Sequence, residues 1–294
     1  MPSTSDILIE SKIKVIVYGR FKKGKTWGAL TFPRPNVIDF DHGIRTLLNT
    51  EFVGKYGLRE IKFFQPVRNT DARGVPRDYN AFDAACRWFD EWMKPAGLWK
   101  DPLTGKTEST GIDKFDTWVL DSCTTLIDAA TDKAIMLLGS DKFKGGGSAT
   151  YSEAKEFGLI LPKIQDYGAE RSMTEQFVRM LRDSGKHVVI ICHEAEPQEK
   201  NPSSGIGPLL TGKSKEDIPV MFDEIYRMTA VPFGEGFKRV LQTQPMGNIN
   251  VGSRLGVPDG TSWDFETLDK IISDIRSAQR SLQAAQQPAA LGSK

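Results

Sequence analysis

"IKVIVYGRFKKGKTWGAL", residues 13–30, is the part of this 294-residue chain that is most informative about its fold. Its β-branched apolar run is typical of a buried parallel strand. Gly19, Gly24, Lys25 and Thr26 then fit the pattern G-x-x-x-x-G-K-[ST]. In such a loop, backbone N–H groups face anionic oxygens, the Lys reaches the terminal phosphates and the hydroxyl holds Mg²⁺. The stretch predicts a phosphate loop (residues 19–26) between a strand and a helix.

A second stretch, "GPLLTGKS" at residues 207–214, fits the same pattern. It follows the loop-like "NPSSGI", and Pro219 comes soon after it, so we predict neither a strand before it nor a helix after it. We expect the first copy alone to bind nucleotide, namely ATP with Mg²⁺, and Lys25 to take part in catalysis. The expected contact residues are Gly19, Arg20, Phe21, Lys22, Lys23, Gly24, Lys25, Thr26 and Trp27.

Composition and charge bear on the partners and the compartment of this protein. The 39 Lys and Arg nearly balance 38 Asp and Glu, so net charge gives no reason to expect nucleic acid, although a local basic patch is compatible with it. The three cysteines lack the spacing of disulfides or metal ligands, which indicates a reducing compartment. The first residues lack a signal-peptide core, and no apolar run approaches the ~18 residues of a membrane span. We expect a cytoplasmic protein without a membrane partner.

Strand-like and helix-like segments alternate along the chain, which predicts an α/β fold with a mostly parallel central sheet flanked by helices. We expect one core domain over residues 1–262. Residues 263–285 form an amphipathic helix that either packs on this core or docks on a neighbour, and residues 286–294 are a flexible tail.

Acidic side chains end two of the predicted strands. Asp121 ends "FDTWVLD", and Thr26 and Asp121 are the expected metal residues; the alternative for Asp121 is a helix cap. Asp39 and Asp41 alternate in "VIDFD", so they face opposite sides of the strand. We expect Asp41 to orient the attacking water, with Asp39 structural, although both can be solvated strand ends.

Two further residues are candidates for catalysis. His193 ends the predicted core strand "HVVIICH", where it can touch the γ-phosphate or bound water; the alternative is a hydrogen-bonded core histidine. Arg254, before a Gly turn, can reach a neighbouring subunit's nucleotide or be a plain surface residue.

The ordered motifs resemble those of RecA-like ATPases. "FPRPNVIDFDHG", "WVLDSCTTL", "VVIICHE" and "IPVMFDEIYRM" are similar in layout to the phage-encoded AAA_24 group, which includes Sak-type single-strand annealing proteins. The resemblance covers roughly residues 12–260. It implies a RecA-like fold, ATP hydrolysis, a homo-oligomeric ring or filament, and the host cytoplasm for a phage protein.

By position in that family, Asp41 stands where relatives carry a catalytic Glu, and His193 where they carry a polar sensor. Arg254 falls at the place of a Lys or Arg finger that acts in trans. The shorter Asp implies slow or water-mediated hydrolysis, and "VGSR" lacks the Lys that often precedes the finger.

The resemblance also implies two DNA-binding loops, over residues 139–150 and 195–219. Lysines that contact phosphates and an aromatic ring for base stacking suit single-stranded DNA, whereas a solvated loop is the alternative. The candidate residues are Lys142, Phe143, Lys144, Lys200, Lys213 and Lys215. A single-strand-binding protein is a further expected partner.

Three functions stay open at this point. The leading one is a RecA-like ATPase that acts on single-stranded DNA in recombination or annealing. A second is a nucleotide-switched annealing module with little turnover. The third is a P-loop small-molecule kinase, but neither long loop has the Arg-rich lid that such a kinase needs.

Overall fold

The computed structural model describes residues 12–57, 61–67, 80–101, 105–139, 164–195, 205–234 and 236–286. Its strands are β1 (Lys14–Gly19), β2 (Pro35–Asp39), β3 (Lys62–Phe64), β4 (Gly97–Lys100), β5 (Thr107–Thr110), β6 (Thr117–Asp121), β7 (His187–Ala195), β8 (Gly207–Pro208), β9 (Glu224–Phe233), β10 (Gly236–Gln242), β11 (Gly252–Ser253) and β12 (Thr261–Ser262).

The helices are α1 (Lys25–Ala29), α2 (Thr50–Tyr56), α3 (Ala81–Met93), α4 (Cys123–Gly139), α5 (Ile164–Arg182), α6 (Ser214–Asp217) and α7 (Phe265–Gln286). Short 3-10 turns span Gly43–Leu48, Ile112–Lys114 and Pro219–Met221. Among these helices, none is long and apolar enough to cross a membrane.

The central sheet has the strand order β12-β10-β9-β1-β7-β6-β2-β3. From β9 to β3 all neighbours are parallel, whereas β10 and β12 add an antiparallel edge. β4 and β5 form a separate hairpin within the turn-rich segment 95–111. The predicted mostly parallel sheet is confirmed. Its carboxyl edge brings the ends of β1, β2, β6 and β7 together, which is where ligands bind in open parallel sheets.

Both faces of the sheet are buried, which explains the uninterrupted apolar runs of its central strands. In β1, Ile16 and Tyr18 belong to a core that includes residues of α3, α4 and α5. Val15 and Val17 point to the opposite core, which includes residues of α1 and α7. Alternation along one strand therefore supplies two hydrophobic layers, as the period of two requires.

The first turns of α7 pack on the chain's own core. Leu268 and Ile272 are buried there, and the indole of Trp263, just before the helix, donates to the carbonyl of Lys25 at 2.8 Å. From the sequence, this helix could pack on its own core or dock on a neighbour; its first turns pack on its own core.

The second pattern copy differs locally from our prediction. Its first two residues form the strand β8, and its last residue begins the four-residue helix α6, where we predicted neither a strand nor a helix. However, β8 is antiparallel to β7, and the hydroxyl of Thr211 donates to the carboxylate of Glu170 at 3.1 Å. A carboxylate at this loop disfavours a phosphate, so the copy is still interpreted as a polar loop.

Lys213 and Lys215 of this loop are exposed. The other DNA-binding candidates, Lys142, Phe143, Lys144 and Lys200, lie outside the described residues.

Candidate functional site

A cavity of about 550 Å³ opens at the carboxyl edge of the sheet, directly over the phosphate loop. It brings together residues from the ends of four parallel strands and from the turn after β2. The predicted residues that line it are Phe21, Lys22, Lys23, Gly24, Lys25, Thr26, Trp27, Asp41, Asp121 and His193. The cavity therefore collects most of the predicted nucleotide and catalytic residues.

The two pattern glycines are required by close contacts. Gly24 has φ 95°, a left-handed conformation that favours glycine, and a Cβ there would lie 2.4 Å from Cδ of Arg239. A Cβ on Gly19 would lie 2.7 Å from the carbonyl oxygen of Met228 in β9. Both positions hold the loop tightly against neighbouring strands, which fixes the direction of its N–H groups.

Lys25 is buried at the end of the loop. Its Nζ donates to the carbonyl oxygens of Gly19 at 2.7 Å and Arg20 at 3.1 Å. Burial lowers the pKa of Lys25, and the nearby carboxylate of Asp121 opposes this shift. The hydrogen-bond acceptors of this ammonium are neutral carbonyls, so an anionic phosphate would be a stronger partner.

Thr26 and Asp121 form the predicted metal pair. The Thr26 hydroxyl donates to Oδ2 of Asp121 at 2.6 Å. Burial raises the pKa of Asp121 to about 7; the charges of Asp39 and Asp41 add to the increase, and the Thr26 hydrogen bond opposes it. A Cβ on Gly43 would lie only 2.2 Å from the same Oδ2, so the carboxylate is confined on that side.

The donor set fits Mg²⁺. Hydroxyl and carboxylate oxygens are the hard ligands that Mg²⁺ prefers, and it takes one or two carboxylates plus phosphates and water. Within the described ranges there is no group of three or more His, Cys, Asp or Glu that could hold a metal by itself. A metal here would thus depend on the nucleotide for further ligands.

Asp41 lies just past the end of β2 and faces the cavity. Its Oδ2 is 2.9 Å from Nε2 of His193, and its Oδ1 accepts a short hydrogen bond from the hydroxyl of Thr125. Burial alone would raise the pKa of Asp41, but hydrogen bonds from His193, Thr125 and Ser122 outweigh burial and lower it. The carboxylate is held ionised and oriented.

Asp39 faces away from the cavity, opposite to Asp41. It is buried and accepts hydrogen bonds from the N–H of Gly43 at 2.7 Å, the N–H of Ile44 at 3.2 Å and Nε2 of Gln65 at 2.8 Å. These bonds build the turn that carries Gly43 beside Asp121. The geometry is that of a structural residue.

His193 connects the cavity to the segment after β7. The backbone N–H of His193 donates to Oγ1 of Thr124 at 3.0 Å. The Thr124 hydroxyl in turn donates to the carbonyl of Leu209 at 3.0 Å. The N–H of Leu209 returns a hydrogen bond to the carbonyl of His193 at 2.8 Å. The backbone of His193 is therefore hydrogen-bonded, directly and through Thr124, to the segment that leads to Lys213.

The side chain of Arg20 leaves the phosphate loop toward β7. Its Nε lies 3.4 Å from Oε1 of Glu194. The side chain of Glu194 is buried and also accepts two hydrogen bonds from Arg227 in β9, at 2.8 and 3.0 Å. The Glu194 carboxylate joins the loop to two strands, so its place is structural rather than in the cavity.

Arg254 does not line this cavity. It follows β11, which pairs with the first residues of β9, at the amino edge of the sheet. Its side chain is 71% exposed and forms an ion pair with Asp223. Within this chain it is remote from the phosphate loop, so any contact with a nucleotide requires a second copy.

Several residues that line the cavity were not predicted from the sequence. Arg45, Thr46, Leu48 and Asn49 come from the turn after β2 and the start of α2, and Arg239 comes from β10. The proximity of Arg45 to Asp41 in sequence was a usable signal. For Arg239 there was none, because its approach depends on how β10 pairs with β9.

The parallel sheet and the phosphate loop with its Thr–Asp pair define a RecA-like P-loop ATPase fold. The chain belongs to the AAA_24 family, described as an AAA domain, whose model matches residues 11–255. A comparison with curated proteins found no match.

Two solved structures are similar to this chain. One is a KaiC-like protein from the hyperthermophilic archaeon Pyrococcus horikoshii, with a TM-score of 0.40, 10% identity, and 82% of this chain and 83% of that chain covered. The other is the RadB recombinase, with a TM-score of 0.40, 15% identity, and 84% of each chain covered.

Proposed function

We propose that this protein hydrolyses ATP in the cavity above the phosphate loop and uses the cycle to act on single-stranded DNA, as a homo-oligomer, in recombination or annealing. The ATPase proposal rests on the way in which three groups of side chains share one cavity. The Asp41–His193 pair faces the same cavity as Lys25 and the Thr26–Asp121 pair. Phosphate binding, metal binding and water orientation then share a single site.

The phosphate loop would hold the triphosphate by its N–H groups and by Lys25, which exchanges its carbonyl partners for phosphate oxygens. Thr26 and Asp121 would hold Mg²⁺, directly or through water. When bound, the metal neutralises charge on the β- and γ-phosphate oxygens. Membership of AAA_24 supports this use of the site.

Asp41 orients the attacking water in this proposal. Its lowered pKa makes it a weak base but a good acceptor at neutral pH. His193 can donate to it through Nε2, fixing the carboxylate in one direction. The barrier is then lowered by positioning more than by proton abstraction, which agrees with the slow hydrolysis that an Asp at this position implies.

DNA binding is proposed for the segment after β7. Lys213 and Lys215 are exposed there, and their segment is hydrogen-bonded to His193 through Leu209 and Thr124. Hydrolysis at Asp41 would change the His193 contacts and so the presentation of the two lysines. Arg254, exposed at the amino edge, is the proposed contact with a neighbouring subunit in a ring or filament.

The test is the ATPase rate with and without single-stranded DNA, measured together with size in the presence and absence of ATP–Mg²⁺. We expect DNA to stimulate turnover and nucleotide to promote assembly. Lys25→Ala should abolish turnover, and Lys213→Ala with Lys215→Ala should remove the stimulation and leave the basal rate. Lys114→Ala, a cation at the base of the β4–β5 hairpin, is the matched control. Basal turnover that survives Lys25→Ala contradicts the proposal.

A nucleotide-switched annealing module is the second candidate. The low pKa of Asp41 favours it, because a weakly basic carboxylate is compatible with binding and assembly at negligible turnover. Annealing assays with Lys25→Ala and Asp41→Ala separate the two. Loss of annealing with Lys25→Ala but not with Asp41→Ala indicates the switch, and loss with both indicates the ATPase cycle.

A further inference from the structure

Arg239 reaches the phosphate loop from the antiparallel edge of the sheet. It lies in β10, opposite Ala230 of β9. Its stem packs on the loop so closely that a Cβ on Gly24 would be 2.4 Å from Cδ and 2.6 Å from Nε. Its guanidinium carbon lies 4.3 Å from the centroid of the Trp27 ring. The stem and the head of Arg239 are thus both fixed by the nucleotide-binding elements.

Within its own chain, Arg239 forms only a weak ion pair among the described residues. Among the described residues, the recorded hydrogen bond of its guanidinium is to Oε1 of Glu51, at 3.4 Å from Nη1. The Glu51 side chain is 68% exposed, and exposed ion pairs of this kind contribute little because water screens them. Arg239 lines the cavity together with Lys25 and Thr26, so its remaining donors are available to a ligand there.

We propose that Arg239 binds the phosphate chain of the nucleotide in cis, an inference that rests on the proposed ATP site. A guanidinium presents a planar fork that matches phosphate oxygens, and stacking on an aromatic ring fixes its plane before the ligand arrives. A polyphosphate carries more charge than the single exposed carboxylate of Glu51, and it would replace Glu51 as the partner. The chain would then supply its own arginine, whereas Arg254 lies at the other edge of the sheet.

This placement connects the nucleotide to the β9–β10 hairpin. Phe233 and Phe237 at the hairpin end are 71% and 73% exposed. Because Arg239 belongs to the same strand as Phe237, engagement of the phosphate chain restrains the hairpin as well as the ligand. Nucleotide occupancy would thereby alter an exposed apolar surface beside the cavity.

The experiment measures equilibrium binding of fluorescently labelled ATP and ADP with Mg²⁺ to the full chain. Arg239→Gln keeps the first part of the stem beside Gly24 and removes the charge over Trp27, whereas Arg239→Lys keeps the charge and loses the fork. We expect Arg239→Gln to weaken binding about tenfold or more, which is the effect of losing one charge-assisted hydrogen bond. Arg239→Lys should weaken binding less, because it keeps the charge. Lys238→Gln, the exposed neighbour in β10, is the matched control and should bind as the wild type does.

A readout of thermal unfolding separates ligand binding from a structural role. Arg239→Gln should lower the increase in Tm that nucleotide produces; a structural residue would lower the Tm without nucleotide and leave that increase unchanged. Wild-type affinity of Arg239→Gln for both nucleotides, together with loss of binding in Lys25→Ala, would overturn this inference alone. Wild-type affinity of Lys25→Ala would instead overturn the proposed function.

Discussion

Nε2 of His193 lies 2.9 Å from Oδ2 of Asp41, although 152 residues separate them in the chain. The contact arises because β2 and β7 both pair with β6 in parallel, so their carboxyl ends meet at one edge. Thr125, in the first turn of α4 after β6, adds a second hydrogen bond to Asp41. Three successive strand ends therefore define the position of a single carboxylate.

Replacement of Asp41 is expected to separate turnover from binding. Asp41→Asn keeps the size of the side chain but removes the charge that orients water, so the ATPase rate should fall at least 100-fold, within the range for loss of a positioned acid–base group. Nucleotide affinity should stay within about threefold, because Lys25 and the loop N–H groups are untouched. Rates from single-turnover assays and affinities from titration check both parts.

His193→Gln is the companion variant. Its amide can still donate to Asp41, so turnover should fall less than with Asp41→Asn, and stimulation by DNA should fall more than the basal rate. Equal loss of the basal and stimulated rates would show that His193 only orients Asp41 and does not communicate with the segment that contains Leu209.

A methyl group at Gly43 is expected to disrupt metal binding. Its Cβ would lie 2.2 Å from Oδ2 of Asp121 and 2.9 Å from Oγ1 of Thr26, so one of the two must move. Gly43→Ala should raise the Mg²⁺ concentration needed for half-maximal turnover by about tenfold, as seen when groups that orient metal ligands are lost. Titration of Mg²⁺ at saturating ATP measures this.

Gly54→Ala in α2 is the control for Gly43→Ala. Apart from its chain neighbours and the backbone of its own helix, none of the described residues has a heavy atom within 4 Å of a Cβ at Gly54, and its φ is not in the left-handed region. The substitution should leave the Mg²⁺ dependence unchanged and stabilise the helix by ~0.5–1 kcal/mol, the usual preference for Ala over Gly. A similar Mg²⁺ dependence in both variants contradicts the assignment of Thr26 and Asp121.

Much of the fold and of the phosphate site could be predicted from the sequence, because both depend on short local patterns. The phosphate loop at residues 19–26 follows an apolar strand and contains two glycines at set positions and a Lys–Thr pair. The glycines allow the close turn, the Lys reaches phosphate and the Thr hydroxyl holds the metal. Asp121 could be predicted because it ends an apolar strand, and parallel strands end at the ligand-binding edge.

Arg239 and the second pattern copy show where sequence reasoning is insufficient. Arg239 reaches Gly24 because β10 folds back along β9 and β9 pairs with β1. Gly234 and Gly236 indicate the hairpin turn, but the pairing of β9 with the distant β1 has no local signature. The strand and helix around the second copy are two and four residues long. Elements this short are set by tertiary contacts, such as the pairing of β8 with β7, rather than by propensity.

Two buried tryptophans offer a measurement of one hydrogen bond. Trp263 Nε1 donates to the carbonyl of Lys25 at 2.8 Å, whereas Trp92 Nε1 has no hydrogen-bond partner among the described residues. Both substitutions to Phe remove a similar volume, so both create a similar cavity. Trp263→Phe should cost ~1–2 kcal/mol more in the free energy of unfolding than Trp92→Phe, because it removes a buried hydrogen bond whereas Trp92→Phe removes an unpaired donor. Denaturant unfolding of both variants tests this.

Acid sensitivity of the fold is expected to depend on His187, the first residue of β7. It is buried, and its ring lies between those of Phe32 and Phe265. Its Nδ1 accepts the N–H of Ile13 at 3.0 Å, which requires that nitrogen to be unprotonated. Burial lowers the pKa of His187 from 6.5 to about 4, and the charge of Lys12 adds to the decrease.

The unfolded chain therefore binds a proton at His187 more readily than the folded chain does. Stability from the neutral imidazole is fully present above pH 6.5, and is lost as the pH falls from 6.5 toward 4, by up to ~3 kcal/mol at 1.36 kcal/mol per pKa unit. His187→Asn keeps an acceptor near the position of Nδ1 and cannot titrate. It should lower stability at pH 7.5, because packing between the rings is lost, and flatten the decline between pH 6.5 and 4. Urea unfolding across this range checks the slope; an equally steep decline in His187→Asn would assign the acid sensitivity to other groups.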